Sequence, residues 1–193
     1  IEKKKIKFVL EDAIDADTYL IGPGDLLYIN LWGEKEAEFE CLVLPEGNII
    51  IPNIGSLMVN GLKLKNIKKL IKEKVNKFYP ESQITVSLGN MRIIKVYLTG
   101  EVLSPGGYGA SPIDRVSNII PHGDSITSWA DKKNIEIRHL DGTTDIFNLL
   151  DFENEGEIKN NPFVRGGDVI YVPRIKLFMG MIYVSGNIIK PGY

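Results

Sequence analysis

The sequence predicts an α+β protein made of one small mixed α/β unit followed by a second, sheet-rich unit. Three observations predict it. Short apolar runs alternate with Gly, Pro and Asn turn clusters, helical periodicity interrupts those runs, and one eleven-residue segment occurs twice in register.

The first element is the run Tyr19-Leu20-Ile21, then Gly22-Pro23-Gly24-Asp25, then Leu26 to Trp32. Proline fixes φ, glycine accepts positive φ and aspartate bonds its own backbone, so the cluster predicts a tight turn between two strands. Pro45-Glu46-Gly47-Asn48, flanked by Val43-Leu44 and Ile49-Ile50-Ile51, predicts a hairpin. Asn53-Ile54-Gly55 and Asn60-Gly61 punctuate the strands after it. From Leu62 to Tyr79 the period changes. Leu64, Ile67, Leu70, Ile71, Val75 and Phe78 recur every three or four residues and predict one buried helical face, which Pro80 ends.

Ile84–Leu88 and Ile93–Leu98 alternate as strands. Ser111-Pro112-Ile113-Asp114 predicts a second helix, with Ser as its cap, Pro in its first turn and Ile113, Val116, Ile119 and Ile120 as its apolar stripe. Ile135–Arg138, the Asp141-Gly142 turn and Thr143–Leu149 predict another hairpin. The polar stretch from Asp151 to Asn161 predicts a loop, and Val169–Val172 a closing strand.

Two echoes organise the chain. Val96-Tyr97-Leu98-Thr99-Gly100-Glu101-Val102-Leu103-Ser104-Pro105-Gly106 returns as Ile182-Tyr183-Val184-Ser185-Gly186-Asn187-Ile188-Ile189-Lys190-Pro191-Gly192. The second unit is therefore expected to begin a second copy near the end of this chain. Gly24-Asp25-Leu26-Leu27-Tyr28-Ile29 is matched by Gly167-Asp168-Val169-Ile170-Tyr171-Val172. That echo is expected to be one turn solution used twice.

Together these segments resemble the outer-membrane polysaccharide export (Wza-like) family. The carriers are Tyr19 to Asp25 and Trp32, the block Pro45 to Ile49 with Gly47, the sequence Ile51 to Gly55, and the amphipathic helix over 64–79. The region from Val96 to Pro173 resembles the soluble-ligand-binding β-grasp (SLBB) domain, opened by Gly100-Glu101-Val102 and Pro105-Gly106 and closed by Gly167 to Pro173. The resemblance implies an N-terminal segment over 1–18, a polysaccharide export domain over 19–92, a first SLBB domain over 93–175 and the start of a truncated second one over 176–193. Gly22, Pro23, Gly24, Asp25, Pro45, Gly47, Gly100, Glu101, Pro105, Gly106, Gly167 and Asp168 are its motif residues. The chain departs from the family at Pro121-His122-Gly123, where Ala-Gly-Gly is usual, and at Asn187, which stands where Glu101 stands in the first copy.

Function classes can be weighed on composition and spacing. A net charge of −2 with pI near 5.8 gives no footprint for nucleic acid. No apolar run approaches the length of a membrane-spanning helix. The single cysteine, Cys41, allows no internal disulfide and is expected to be a buried thiol. His122 and His139 lack ligand spacing to each other or to Cys41, so no metal site is expected. No glycine cluster has phosphate-loop spacing, so no cofactor is expected. Glu34, Glu36, Glu38 and Glu40 would share one strand face, a wet face or a divalent-cation site. Lys63, Lys65, Lys68, Lys69, Lys72, Lys74 and Lys77 face solvent on the first helix, or form a docking surface for an acidic polymer or an acidic partner. Trp129 and Tyr108 are the candidate saccharide contacts, because an aromatic face suits the C–H surface of a sugar ring.

The function these residues and the resemblance imply is a non-enzymatic periplasmic part of a polysaccharide export channel. The resemblance further implies the polymer, other copies of the chain in a ring, and an inner-membrane polysaccharide co-polymerase as partners, and a place at the periplasmic face of the outer membrane. The alternative is an envelope module that senses a soluble saccharide without conducting polymer.

Overall fold

The computed structural model describes residues 10–33 and 36–176. They form three α-helices and ten strands in three sheets, an α+β fold. The repeat over 182–192 and residue Glu34 lie outside the described residues. The chain divides into two compact units, residues 1–93 with 111–113, and residues 94–110 with 114–193.

In the first unit β1 (Leu26–Gly33) is the middle of a three-stranded antiparallel sheet, between β2 (Ala37–Leu42) and β5 (Ser82–Asn90). Its alternation places Leu27, Ile29 and Leu31 in the core at 1% exposure or less. A separate hairpin joins β3 (Asn48–Ile51) to β4 (Gly55–Met58). Helix α1 (Leu64–Asn76) supplies Leu64, Ile67, Ile71 and Val75 to the same core. Its lysines lie outward. Lys65 pairs with Asp17 at 2.9 Å, and the Lys74 ammonium donates to the Ser56 carbonyl.

The second unit is a five-stranded mixed sheet in the order β7 (Gly106–Ala110), β6 (Ile94–Gly100), β10 (Val169–Val172), β8 (Ile135–Arg138), β9 (Thr144–Phe147). Only the central pair, β6 with β10, runs parallel. The first and last strands of the unit lie side by side, β6 flanked by its hairpin partner β7 and β10 by β8, which pairs onward with its own hairpin partner β9. Helix α2 (Val116–Ile119) and a 3-10 turn (Ile120–Gly123) contribute Val116, Ile119 and Ile120 to its core.

Five expectations need correction. Tyr19–Ile21 forms no ladder: Leu20 makes a single bridge to Lys63, and Ile21 exchanges bonds with Leu62 and Gly61. The hairpin predicted around Pro45 forms only its turn, closed by Leu44 N–H to the Asn48 carbonyl and Gly47 N–H to the Leu44 carbonyl, both at 2.8 Å, because Val43 bonds back to Gly24 and Asp25 while β3 pairs forward with β4. Helix α1 ends at Asn76, and of its expected stripe Leu70 and Phe78 are exposed.

Ser111 does not cap α2. Residues 114–116 are held extended by Val164 N–H to the Asp114 carbonyl (3.0 Å) and Val116 N–H to the Pro162 carbonyl (3.1 Å), so the helix starts only at Val116. Finally, the expected loop over 151–161 holds α3 (Leu149–Glu155) and a 3-10 turn. Asn148 caps α3 by accepting from Leu150 N–H at 3.1 Å, and Gly156 ends it at φ 73°. With one buried residue, Leu149, the helix has too little apolar stripe to be read by period.

Candidate functional site

The motif residues build two buried carboxylate nodes. In the first unit the Gly22–Asp25 turn places the Asp25 side chain in the core at 0% exposure. A buried carboxylate is costly unless hydrogen-bonded and paired. Four donors meet it: the Tyr19 hydroxyl at 2.9 Å, Gly22 N–H at 2.9 Å, Arg92 N–H at 2.8 Å and the Arg92 guanidinium at 2.7 Å. Gly24 takes φ 96° so that the chain can turn there, while its N–H donates to the Val43 carbonyl at 2.8 Å. Burial, the nearby charge of Asp25 and the bond to it push the Tyr19 hydroxyl well above its ordinary pKa, against the opposing charge of Arg92. Pro23 caps the turn at the surface.

The Pro45–Gly47 turn does similar positioning work. Gly47 is buried at φ 86°, and its carbonyl accepts from both Val59 and Asn60 at 2.9 Å, fixing the bend before α1.

In the second unit Asp168 is also 0% exposed. It accepts Arg165 N–H at 2.7 Å and lies 2.8 Å from Nδ1 of His139. Gly167 precedes it at φ 87°. Gly100, at φ 89°, passes so close to the Val172 carbonyl that a side chain there has no room. Glu101 N–H donates to that carbonyl at 2.8 Å, and its carboxylate accepts the Thr127 hydroxyl at 2.6 Å. Pro105 is exposed and Gly106 opens β7.

The two aromatic candidates fall in different surroundings. Trp129 is 45% exposed, and the Arg174 guanidinium lies 5.1 Å from its ring centre. Beside it opens a groove of about 1070 Å3 whose lining includes Thr127, Lys133, Glu136, Tyr171, Arg174 and Lys176. Tyr108 is half-buried. Its hydroxyl donates to the Ser104 carbonyl at 2.5 Å and its ring stacks obliquely on His122, 5.9 Å away. Cys41 is buried, and burial pushes its thiol up to about 11. Glu36, Glu38 and Glu40 are exposed. Among the described residues no group of three or more His, Cys, Asp or Glu is placed to hold a metal ion, and no helix is long and apolar enough to cross a membrane.

Sequence reasoning missed Arg92 and His139. The Gly-Asp echo was a usable signal: a carboxylate placed just before a buried strand needs a cationic partner somewhere in the chain. What it could not name was which one.

Residues 13–89 match the family model described as polysaccharide biosynthesis/export protein, a stretch that covers β1 to β4, α1, all of β5 but its last residue and every Asp25 side-chain partner except Arg92. The first unit is therefore a domain of the polysaccharide-export class. The chain is 30% identical over 162 residues to the polysialic acid transport protein KpsD of Escherichia coli, covering 83% of this chain and 29% of that protein. It is 23% identical over 201 residues to the EPS I polysaccharide export outer membrane protein EpsA of Ralstonia nicotianae, covering 91% of this chain and 52% of that protein. The chain thus spans between under a third and about half the length of these relatives. Residues 13–89 carry the polysaccharide biosynthesis/export domain, and most of the chain is similar to proteins named for polysaccharide transport and export.

Proposed function

We propose that the protein is a periplasmic part of an outer-membrane polysaccharide export channel that passes capsular or exopolysaccharide across the envelope without catalysing a reaction on it. The observation that carries this reading is the export-domain match over residues 13–89, which falls on a unit whose buried carboxylate is fully engaged in holding the fold. Asp25, ringed by four donors, has no lone pair left for a substrate.

On this reading residues 19–92 act as the export domain and 93–175 as an SLBB domain. The protein sits at the periplasmic face of the outer membrane, assembles with its own copies into a ring, and meets an inner-membrane co-polymerase. Relatives named for polysialic acid transport and for EPS I export support the polymer as cargo. The test is deletion of the gene in its host with complementation by the full-length protein. Surface polymer should disappear and accumulate inside the outer membrane, then return on complementation. Unchanged surface polymer would refute the proposal.

The exposed Trp129 ring, next to the groove, favours a second reading, a saccharide-binding module in which Trp129 contacts sugar, with Tyr108 a second candidate that does not line that groove. Titration of the purified protein with oligosaccharides, following the Trp129 and Tyr108 NMR signals, separates the two. Saturable shifts at those residues, together with a deletion that leaves surface polymer unchanged, would favour sensing over conduction.

A further inference from the structure

His139 directly follows strand β8 and starts the turn to β9, where its backbone N–H donates to the Thr143 carbonyl at 2.9 Å. Its ring is only 5% exposed and lies between two carboxylates. Nδ1 is 2.8 Å from Asp168, which is itself buried in the turn before β10, and Nε2 is 3.2 Å from Asp145 on β9. Leu140 lies over Gly167, so the tip of the β8–β9 hairpin and the Asp168 turn pack against each other and meet at this ring. A neutral imidazole has one N–H and one lone pair, and only the imidazolium donates from both nitrogens. Satisfying both carboxylates at once therefore requires the charged form.

We propose that His139 is a pH-responsive staple: protonated, it ties the β8–β9 hairpin to the Asp168 turn and holds β9 in the sheet, and neutral, it releases Asp145 and loosens that strand. Nδ1 keeps its proton in the neutral form, because its partner is buried and would otherwise lose a donor, whereas Asp145 is two-thirds exposed and can turn to water. Strand β9 stands at the end of the sheet order, with Ile146 65% exposed, so its release opens a sheet edge able to pair with other chains.

The carboxylates around the ring favour the imidazolium, and the Arg165 guanidinium opposes it. Asp168 and Arg165 face it from the turn before β10, Asp145 from β9, and Asp141 from its own turn; Arg138 is directed elsewhere, bonded to Glu136 and over the Tyr171 ring. Burial works against the charge, but the bonds to Asp168 and Asp145 outweigh it and raise the pKa above imidazole's ordinary 6.5. With the folded value raised, the stabilisation is complete below about 6.5 and is lost as pH rises through the folded value. The inference stands independently of the export reading.

The test is NMR of the protein from pH 5.5 to 8.5, following the His139 ring and the amide exchange of Thr144 to Phe147. The His139 midpoint is expected above 6.5. After correction for base catalysis, opening of β9 should grow by about tenfold for each unit by which that midpoint exceeds the unfolded value. Asp145→Asn, at an exposed edge position, should lower the midpoint and shrink the growth while the sheet stays folded. In His139→Gln the pH-dependent part of β9 exchange should vanish. A midpoint at or below 6.5, or wild-type β9 exchange that follows base catalysis alone as it does in His139→Gln, would overturn the staple. So would an Asp145→Asn variant with an unmoved midpoint.

Discussion

The two Gly-Asp turns are the same local solution with different charge partners. Each has a glycine at positive φ, an aspartate at 0% exposure that accepts the N–H three residues before it, and a central strand immediately after. In the first unit the balancing cation is Arg92, permanently charged and contributing two bonds. In the second it is His139, whose charge depends on pH. A sequence echo therefore copies turn geometry without copying the electrostatics beneath it.

Removing the carboxylates should break the comparison most strongly. Asp25→Ala leaves the Arg92 guanidinium, 20% exposed, without its counter-ion, and arginine cannot escape by losing its proton. The expected loss is about 3–5 kcal/mol of first-unit stability. Asp168→Ala leaves a histidine that neutralises instead, so its cost should be about 1–3 kcal/mol, the range for one lost buried hydrogen-bond partner. Trp32 lies in the first unit and Trp129 in the second. Urea denaturation of the Trp129→Phe and Trp32→Phe backgrounds reads each unit separately. Equal losses for the two alanine variants would show that the identity of the cation does not matter.

The glycines should separate the turns next. A side chain at either forces a left-handed conformation, about 1–3 kcal/mol of strain. At Gly24 an added Cβ would also meet Cβ of Arg92 at 3.1 Å, crowding the residue that holds Asp25. At Gly167 the obstacle is the side chain of Leu140, 81% exposed and able to swing into solvent. Gly24→Val is therefore expected to cost more than Gly167→Val, and both to act on folding. Thermal melts of the two variants check this, and the reverse order would place the greater constraint in the second unit.

How much of the molecule was legible depends on the range of its contacts. Strands β1, β5, β6, β8 and β10 and helix α1 were readable because alternation or a 3.6-residue period is written locally in each. The start of α2 was not, since residues 162–164 hold its approach extended from nearly fifty positions away. Helix α3 is set by Asn148 and Gly156 rather than by apolar period, and polar composition concealed it. Of the site, Gly24, Asp25, Gly167 and Asp168 could be singled out from their echo. Arg92 lies 67 residues from Asp25, and His139 lies 29 from Asp168, distances at which local pattern carries no information.

The smallest effect is expected at Tyr19, and it sharpens what four donors mean for Asp25. Tyr19→Phe removes one of the four and keeps the ring, which is 7% exposed and lies 5.9 Å from the Arg92 guanidinium. Three donors remain, including the guanidinium, so the cost should be about 1 kcal/mol, that of one hydrogen bond. The wild-type residue also carries a pH signature. The folded hydroxyl holds its proton above the ordinary tyrosine value of 10.0, so its contribution is complete below that pH. As pH rises past it, the unfolded chain ionises while the folded chain does not, and stability falls. Urea midpoints at pH 8 and pH 10.5, read through Trp32, should draw together for wild type and Tyr19→Phe at the higher pH. A gap that stays constant would mean that the hydroxyl adds packing rather than a buried, uncharged donor to Asp25.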